Sequence, residues 1–323
     1  MKQKKIFIAG DSGLIGSTIK KKLKNRYKIY ESKRINFENQ NHVLDLFVKE
    51  RFDEVYLTAG LVGGINANIN RQAEFLYKNL IIACNIIDAS FKTNVNKLLN
   101  IGCACMYPRM SEQPIKESQM LSGPLEPTNE SYALAKIAGM KLCSSYNHQF
   151  KTDYRTIIPS NVYGPGDNFD LNTGHVIPSL IRRFHIAKIK DEKKITIWGT
   201  GKAQRNFIYV DDVADACVFF MELNKKKFYD KKLNKSEYLN VGSKQLISIS
   251  ELSELIKGVT EFRGIVDFDT SKPDGMPIKY LDTGTCKKFD FLPQTSLYEG
   301  IKKTYSFFLD QYEKNSNYNQ ENQ

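Results

Sequence analysis

Tyr132 and Lys136 stand four residues apart in the segment TNESYALAK (128–136). On a helix that spacing puts both side chains on one face. A lysine ammonium beside a phenol would lower the phenol's pKa. The phenol would then deliver a proton to the oxygen of a carbonyl receiving hydride. The spacing also arises by chance, so its meaning depends on whether the chain can hold a hydride donor. Gly10-x-x-Gly13-x-x-Gly16 bears on that question, because it follows the apolar run KIFIA (5–9) and opens a helical pattern reaching Leu23. Glycines allow positive φ and close backbone approach to a pyrophosphate. The helix N-terminus adds unpaired N–H groups and positive potential. A strand, a glycine turn and a helix in that order are the context that dinucleotide binding requires.

The elements that must position these groups alternate. Strands are expected at 5–9, 27–30, 53–60, 97–102 and 154–161. Helices are expected through Leu23, over 41–51 and about 70–91, and across the segment carrying Tyr132 and Lys136. This alternation predicts an α/β fold, a Rossmann-like doubly wound parallel sheet. The rhythm breaks at Tyr163-Gly164-Pro165-Gly166, a turn cluster. Residues 1–165 with about 205–230 are read as the dinucleotide-binding domain. Residues 166–204 with 231–314 are read as a smaller α+β substrate domain. The polar tail NSNYNQENQ (315–323) is expected to be disordered.

Composition narrows the function class. The 323 residues carry a net charge of +11. The lysines are spread out, with short runs at Lys20–Lys22 and Lys225–Lys227, and no nucleic-acid motif accompanies them. Solvated helix faces account for such charge, and an anionic small-molecule substrate is compatible with it. Nucleic acid is not an expected partner. The six cysteines are scattered. Cys103-x-Cys105 has no second pair and no neighbouring histidines, so no metal site is expected and a reduced, cytoplasmic setting fits. IFIAG is too short for a secretory signal, and no apolar run approaches the ~18 residues of a membrane helix. Cofactor choice turns on Glu31-Ser32-Lys33-Arg34 after the second strand. An acidic group there suits the ribose diol of NADH, and a basic one suits the 2′-phosphate of NADPH. The reading adopted is NADPH, with Lys33 or Arg34 on the phosphate and NADH as the alternative.

Seven blocks, in order along the chain, resemble the GDP-L-fucose synthase family of extended short-chain dehydrogenase/reductases. They are VGGINANINRQAEF, CACMYP, LEPTNESYALAKIAGMKLCSSYN, NVYGPGDNF, HVIPSLIRRFH, WGTGKAQRNFIYVDD and TSKPDGMPIKYLD. The resemblance implies an NADPH-dependent reductase of a GDP-linked 4-keto-6-deoxy sugar, serving surface-glycan biosynthesis. Such enzymes epimerise C3 and C5 and then reduce C4, as homodimers joined through two helices of each subunit.

Residue roles follow from the same resemblance. Tyr132 and Lys136 would serve reduction, with Cys103 beside the keto oxygen. Cys105 and His175 would move the protons of epimerisation. By themselves these two read as a buried structural thiol and a loop histidine. Cofactor contacts are expected from Gly10, Ser12, Gly13, Leu14, Ile15, Gly16, Lys33, Arg34, Lys136, Pro159, Asn161 and His175. Substrate contacts are expected from Asn161, Leu180, Arg183, Trp198, Arg205, Asp274 and Lys279. The cationic members can neutralise a diphosphate, and the single tryptophan can stack on or pack beside a base.

Two departures from the family pattern stand out. Cys103-Ala104-Cys105 replaces the usual Ser-Ser-Cys, and a thiol is a weaker donor than a hydroxyl. Asp11-Ser12 replaces the usual His-Arg in the glycine loop, removing a phosphate-binding arginine. A paralogue that reduces a GDP-4-keto-6-deoxy-heptose without epimerising it is therefore the alternative reading. A non-catalytic nucleotide-binding protein is a remoter one, since it would have no chemical need for the Tyr132/Lys136 pair.

Overall fold

The computed structural model describes residues 3–32, 35–171, 173–272 and 274–321, with side chains to residue 313. In chain order the elements begin β1 (Lys5–Ala9), α1 (Leu14–Leu23), β2 (Lys28–Tyr30), α2 (Gln40–Glu50), β3 (Glu54–Leu57), α3 (Ile65–Asn70), α4 (Gln72–Lys92), β4 (Lys97–Ile101), α5 (Glu130–Phe150) and β5 (Tyr154–Pro159). They continue β6 (Asn161–Tyr163), α6 (Val176–Ile189), β7 (Lys194–Trp198), β8 (Gln204–Tyr209), α7 (Val210–Glu222), α8 (Lys225–Phe228) and β9 (Tyr238–Val241). The chain ends with β10 (Leu246–Ser248), α9 (Ile249–Thr260), β11 (Ile265–Asp269), β12 (Ile278–Lys279), α10 (Gly284–Lys288) and α11 (Leu297–Glu321).

The large sheet is parallel, in the order β2-β1-β3-β4-β5-β9. Its central strands are apolar on both faces, as a sheet covered by helices on both sides requires. In β1, Ile6 and Ile8 face one core with residues of α1 and α7, while Phe7 and Ala9 face the other with residues of α2, α4 and α5. Phe7 alone, fully buried, stabilises by about 1.5–3 kcal/mol. The winding reverses between β1 and β3, and a crevice opens at the carboxyl ends of such strands.

The smaller unit has its own core, with Ile181 and Phe184 of α6, Ile195 of β7, Phe207 of β8, Ile256 of α9 and Ile301 of α11. β8 pairs there with β6, β10 and β12, and β7 pairs with β11.

Four boundaries differ from the sequence reading. The strand expected over 154–161 divides: β5 stays in the large sheet, and from Asn161 the chain pairs with β8 instead. Of the stretch about 205–230, β8 belongs to the small sheet, and α7 returns to pack on α1. β9, expected in the substrate domain, is the sixth strand of the large sheet. A four-residue apolar run does not announce its partner, because pairing with β5 is a long-range choice. The last helix reaches Glu321, through most of the tail expected to be disordered. It is propagated from a first half anchored by Leu297, Ile301, Tyr305 and Phe308, and adding a turn to an existing helix is far easier than nucleating one.

Candidate active site

The glycine loop leaves β1 at Gly10, whose φ of +89° suits glycine. Gly13 N–H closes the turn on the Gly10 carbonyl at 3.0 Å, and Thr58 Oγ1 braces it by donating to the Ala9 carbonyl at 2.7 Å. No side chain caps the N-terminus of α1, which leaves its first N–H groups without a capping side chain. A Cβ on Gly16 would lie 2.1 Å from the Gly10 carbonyl oxygen. The cradle therefore fits a dinucleotide pyrophosphate and admits no side chain at its third glycine. Ser12 is exposed on the loop, and Leu14 and Ile15 are half-buried. Gly16→Ala is expected to destabilise the fold by about 1–3 kcal/mol and to weaken NADPH binding. Thermal melts with and without NADPH read both effects, and an unchanged melting temperature would refute the close approach.

Beside the loop, the Asp11 carboxylate is buried. It accepts from Ser32 Oγ and pairs with Lys20 at 3.2 Å. Lys20 also reaches Glu31 at 3.0 Å, which with Asp11 holds its ammonium above the usual value. The charge-balanced Asp11 carboxylate stands where the family usually has histidine, and the next position, usual for a phosphate-binding arginine, carries the exposed Ser12. Lys33 and Arg34, expected on the 2′-phosphate, lie outside the described residues.

Tyr132 and Lys136 share one face of α5 and are half-buried. Lys136 Nζ donates to the Ile101 carbonyl at 3.1 Å and stands 5.8 Å from the centre of the Tyr132 ring. The edge of one ring meets the face of the other where Tyr132 packs on Phe75. The net shift of the phenol runs opposite to the lowering expected from Lys136. Burial pushes the phenol well above its ordinary value, and Cys103 and Cys105 act in the same direction. Burial likewise pulls the Lys136 ammonium down. Desolvation opposes the charged form of each group.

Cys103 opens the short turn Ala104–Met106 that follows β4, and its N–H donates to Met106 Sδ at 3.3 Å. The turn brings the sulfurs of Cys103 and Cys105 to 2.8 Å, sharing a hydrogen bond. Burial pushes Cys103 up, but the Cys105 hydrogen bond and the ammonium groups of Lys136 and Lys279 outweigh it and hold this thiol below its usual value. Cys105 is held well above it, by its bond to Cys103 and by burial. The pair thus shares protons unequally, Cys103 yielding first. Lys279, expected on the nucleotide, is an electrostatic partner of these thiols. It sits on β12 opposite Arg205 of β8, and burial depresses its own pKa.

His175 immediately precedes α6 with its ring about half exposed, its Nδ1 3.7 Å from Asp167 Oδ1. Asp167 was not singled out in the sequence, where an aspartate in a Gly-Pro-Gly-Asp-Asn run reads as a turn former. Its carboxylate raises the pKa of His175 against the opposing effect of burial. Among the described residues His175 has no hydrogen bond or ion pair to the Tyr132 group.

The other expected contacts divide. Trp198 is 68% exposed, with the Lys272 ammonium 5.7 Å over its ring, so it is no core residue. Arg183 donates to the Thr196 carbonyl and Arg205 to the Gln204 carbonyl, each through one guanidinium nitrogen. Asp274 accepts from both the N–H and the hydroxyl of Thr200 and so fastens the turn after β7. Leu180 is packed in the second core. Asn161 is half-buried at the start of β6, and Pro159 is buried at the end of β5.

Residues 6–234 match the family model described as the NAD dependent epimerase/dehydratase family. The chain is 43% identical over 314 residues to the GDP-L-fucose synthase of Escherichia coli (strain K12), covering 96% of this chain and 98% of that one. Its fold matches a GDP-6-OMe-4-keto-L-xylo-heptose reductase from C. jejuni with a TM-score of 0.89 and 32% identity, over 96% of this chain and 99% of the other. A GDP-mannoheptose C4 reductase from Campylobacter jejuni with NADP bound matches at 0.86 and 33%, over 95% and 99%.

Proposed function

The chain belongs to the NAD dependent epimerase/dehydratase family and, within it, to the GDP-L-fucose synthases, and from that premise we propose that it reduces the C4 ketone of a GDP-4-keto-6-deoxy sugar with NADPH after epimerising C3 and C5. NADPH, bound in the glycine cradle, supplies the hydride. One observation carries the reading: Tyr132 packs in one cluster with Cys103 and Cys105, whose sulfurs are 2.8 Å apart, and the Lys136 ammonium stands 5.8 Å from the phenol ring, so a donor for a ketone oxygen and a titrating group for the adjacent carbons lie together.

Tyr132 works as an acid in this direction. Its raised pKa keeps the proton on the phenol at neutral pH, and Lys136 compensates the phenolate that forms on transfer. Epimerisation needs a base and an acid on opposite faces of the ring, because the proton removed α to the ketone must return from the other side. The Cys103/Cys105 pair, with Cys103 the readier thiolate, supplies the base. His175, kept protonated to higher pH by Asp167, supplies the acid. Arg183, Arg205 and Trp198 are assigned to the nucleotide, and Asn161 to the sugar.

The sign of the pH dependence follows. His175 donates below its folded pKa, so exchange at C3 and C5 falls as pH rises through that value. Asp167→Asn removes the carboxylate that raises it, and the falling limb is expected to move to lower pH. Deuterium incorporation from D₂O measured against pH checks this, and an unmoved limb would remove Asp167 from the scheme.

A second reading is a C4 reductase of a seven-carbon GDP sugar that does not epimerise. Cys103, standing where the family usually has serine, favours it. NMR of the products from GDP-4-keto-6-deoxymannose and its seven-carbon counterpart decides between the two. GDP-fucose from the first supports the main reading. Turnover of the heptose alone, with no deuterium at C3 or C5, would replace it.

The assembly proposed is a homodimer. α4 and α5 pack on each other and leave Tyr77 and Leu134 exposed, which suits a second copy. The lysines are spread rather than gathered on a nucleic-acid-binding stripe, so no nucleic-acid partner is proposed. Among the described residues no helix is long and apolar enough to cross a membrane. A cytoplasmic setting is proposed from the free cysteines.

A further inference from the structure

We propose that Cys103 and Cys105 form a site of reversible two-electron oxidation, closing to a disulfide with a hydroperoxide as oxidant and switching off proton transfer in the cleft. The idea rests on the function above only for its effect on turnover; the chemistry at sulfur stands by itself. The two sulfurs are in contact at 2.8 Å, against about 2.05 Å for a bond, so closure needs little more than loss of the protons between them. Both cysteines are free, Cys105 buried and Cys103 half-buried. No other pair of cysteine sulfurs is in hydrogen-bond contact among the described residues. Lys136 and Lys279 act on both thiols and favour a thiolate at Cys103, the form that attacks a peroxide.

The step balances. Cys103 thiolate attacks one peroxide oxygen, the S–O bond forms, the O–O bond breaks, and hydroxide leaves to become water. The resulting sulfenic acid is attacked by Cys105 sulfur. The S–S bond forms, the S–O bond breaks, and water leaves with the Cys105 proton. Two thiols lose two electrons in all and one hydrogen peroxide becomes two waters. A bridge across a single residue closes a small, strained ring, and strained disulfides are the easily reduced ones. The site is therefore a switch rather than a staple. Closing it removes the base pair of epimerisation and the sulfur beside Tyr132 together.

The test treats the whole protein with stoichiometric hydrogen peroxide. Thiols are counted after denaturation, and the linked peptide is mapped without reduction. The count is expected to fall by two of the six, with the loss in the 103–105 peptide and full recovery in dithiothreitol. C3/C5 deuterium exchange should vanish and return in step. In Cys105→Ser, Cys103 is expected to stop at a sulfenic acid that dimedone traps. In Cys103→Ser, the count should not fall by two. Six surviving thiols, a bridge between other cysteines, or passage of Cys103 directly to sulfinic acid would overturn the proposal. Pairing in a protein that turns over no GDP sugar would refute the function alone. Normal turnover without pairing would refute the switch alone.

Discussion

Replacing Tyr132 by Phe is expected to lower C4 reduction by ~10²–10⁴-fold while leaving NADPH binding in place. In the proposed mechanism the phenol hydroxyl is the proton donor, and its raised pKa keeps that proton available across the neutral range. The rest of the ring packs on Phe75, so Phe keeps the shape of the cleft. Lys136 holds its place through the Ile101 carbonyl and does not depend on the hydroxyl. Cofactor fluorescence should therefore be near that of the parent, and deuterium exchange at C3 and C5 should persist. Steady-state NADPH oxidation measures the loss. Turnover within a few-fold of the parent would remove Tyr132 from the proton transfer.

Cys105→Ser is expected to reduce C3/C5 exchange by a similar ~10²–10⁴-fold and to spare reduction of a sugar already epimerised. The Cys105 thiol bonds Cys103 and helps hold it below its usual value, and the shorter serine side chain loosens that contact, so less Cys103 thiolate is present to act as base. The two assays separate the roles. Exchange in D₂O without NADPH reads the carbon acid chemistry, and NADPH oxidation reads the ketone. Equal losses in both would mean that the substitution damaged the cleft generally. Unchanged exchange would remove Cys105 from the base.

Much of the site was legible before any fold was known. Gly10 and Gly16 declare their use because a turn that tight admits no side chain at either, a restriction local to a few residues. The alternation of apolar runs announces the parallel sheet because both faces of β1, β3 and β4 must be covered. Harder to read was anything that depends on two distant segments meeting. The membership of β9 in the large sheet is of this kind, since YLNV pairs with β5 only after both have been placed.

What the chain's order of residues determined by itself is the local chemistry: which groups ride one helix face, and where a phosphate can approach the backbone. Tyr132 with Lys136 and the glycine cradle are of that kind, because a turn or a helix is set by neighbours in sequence. Only the tertiary structure decided which protons those groups hold. Lys279 comes from β12, near the end of the chain, to act on Cys103 and Cys105, and burial rather than Lys136 governs the phenol. Proton affinity depends on solvent exclusion and on charges gathered from remote strands. Both are properties of the packed molecule, and a short motif carries neither.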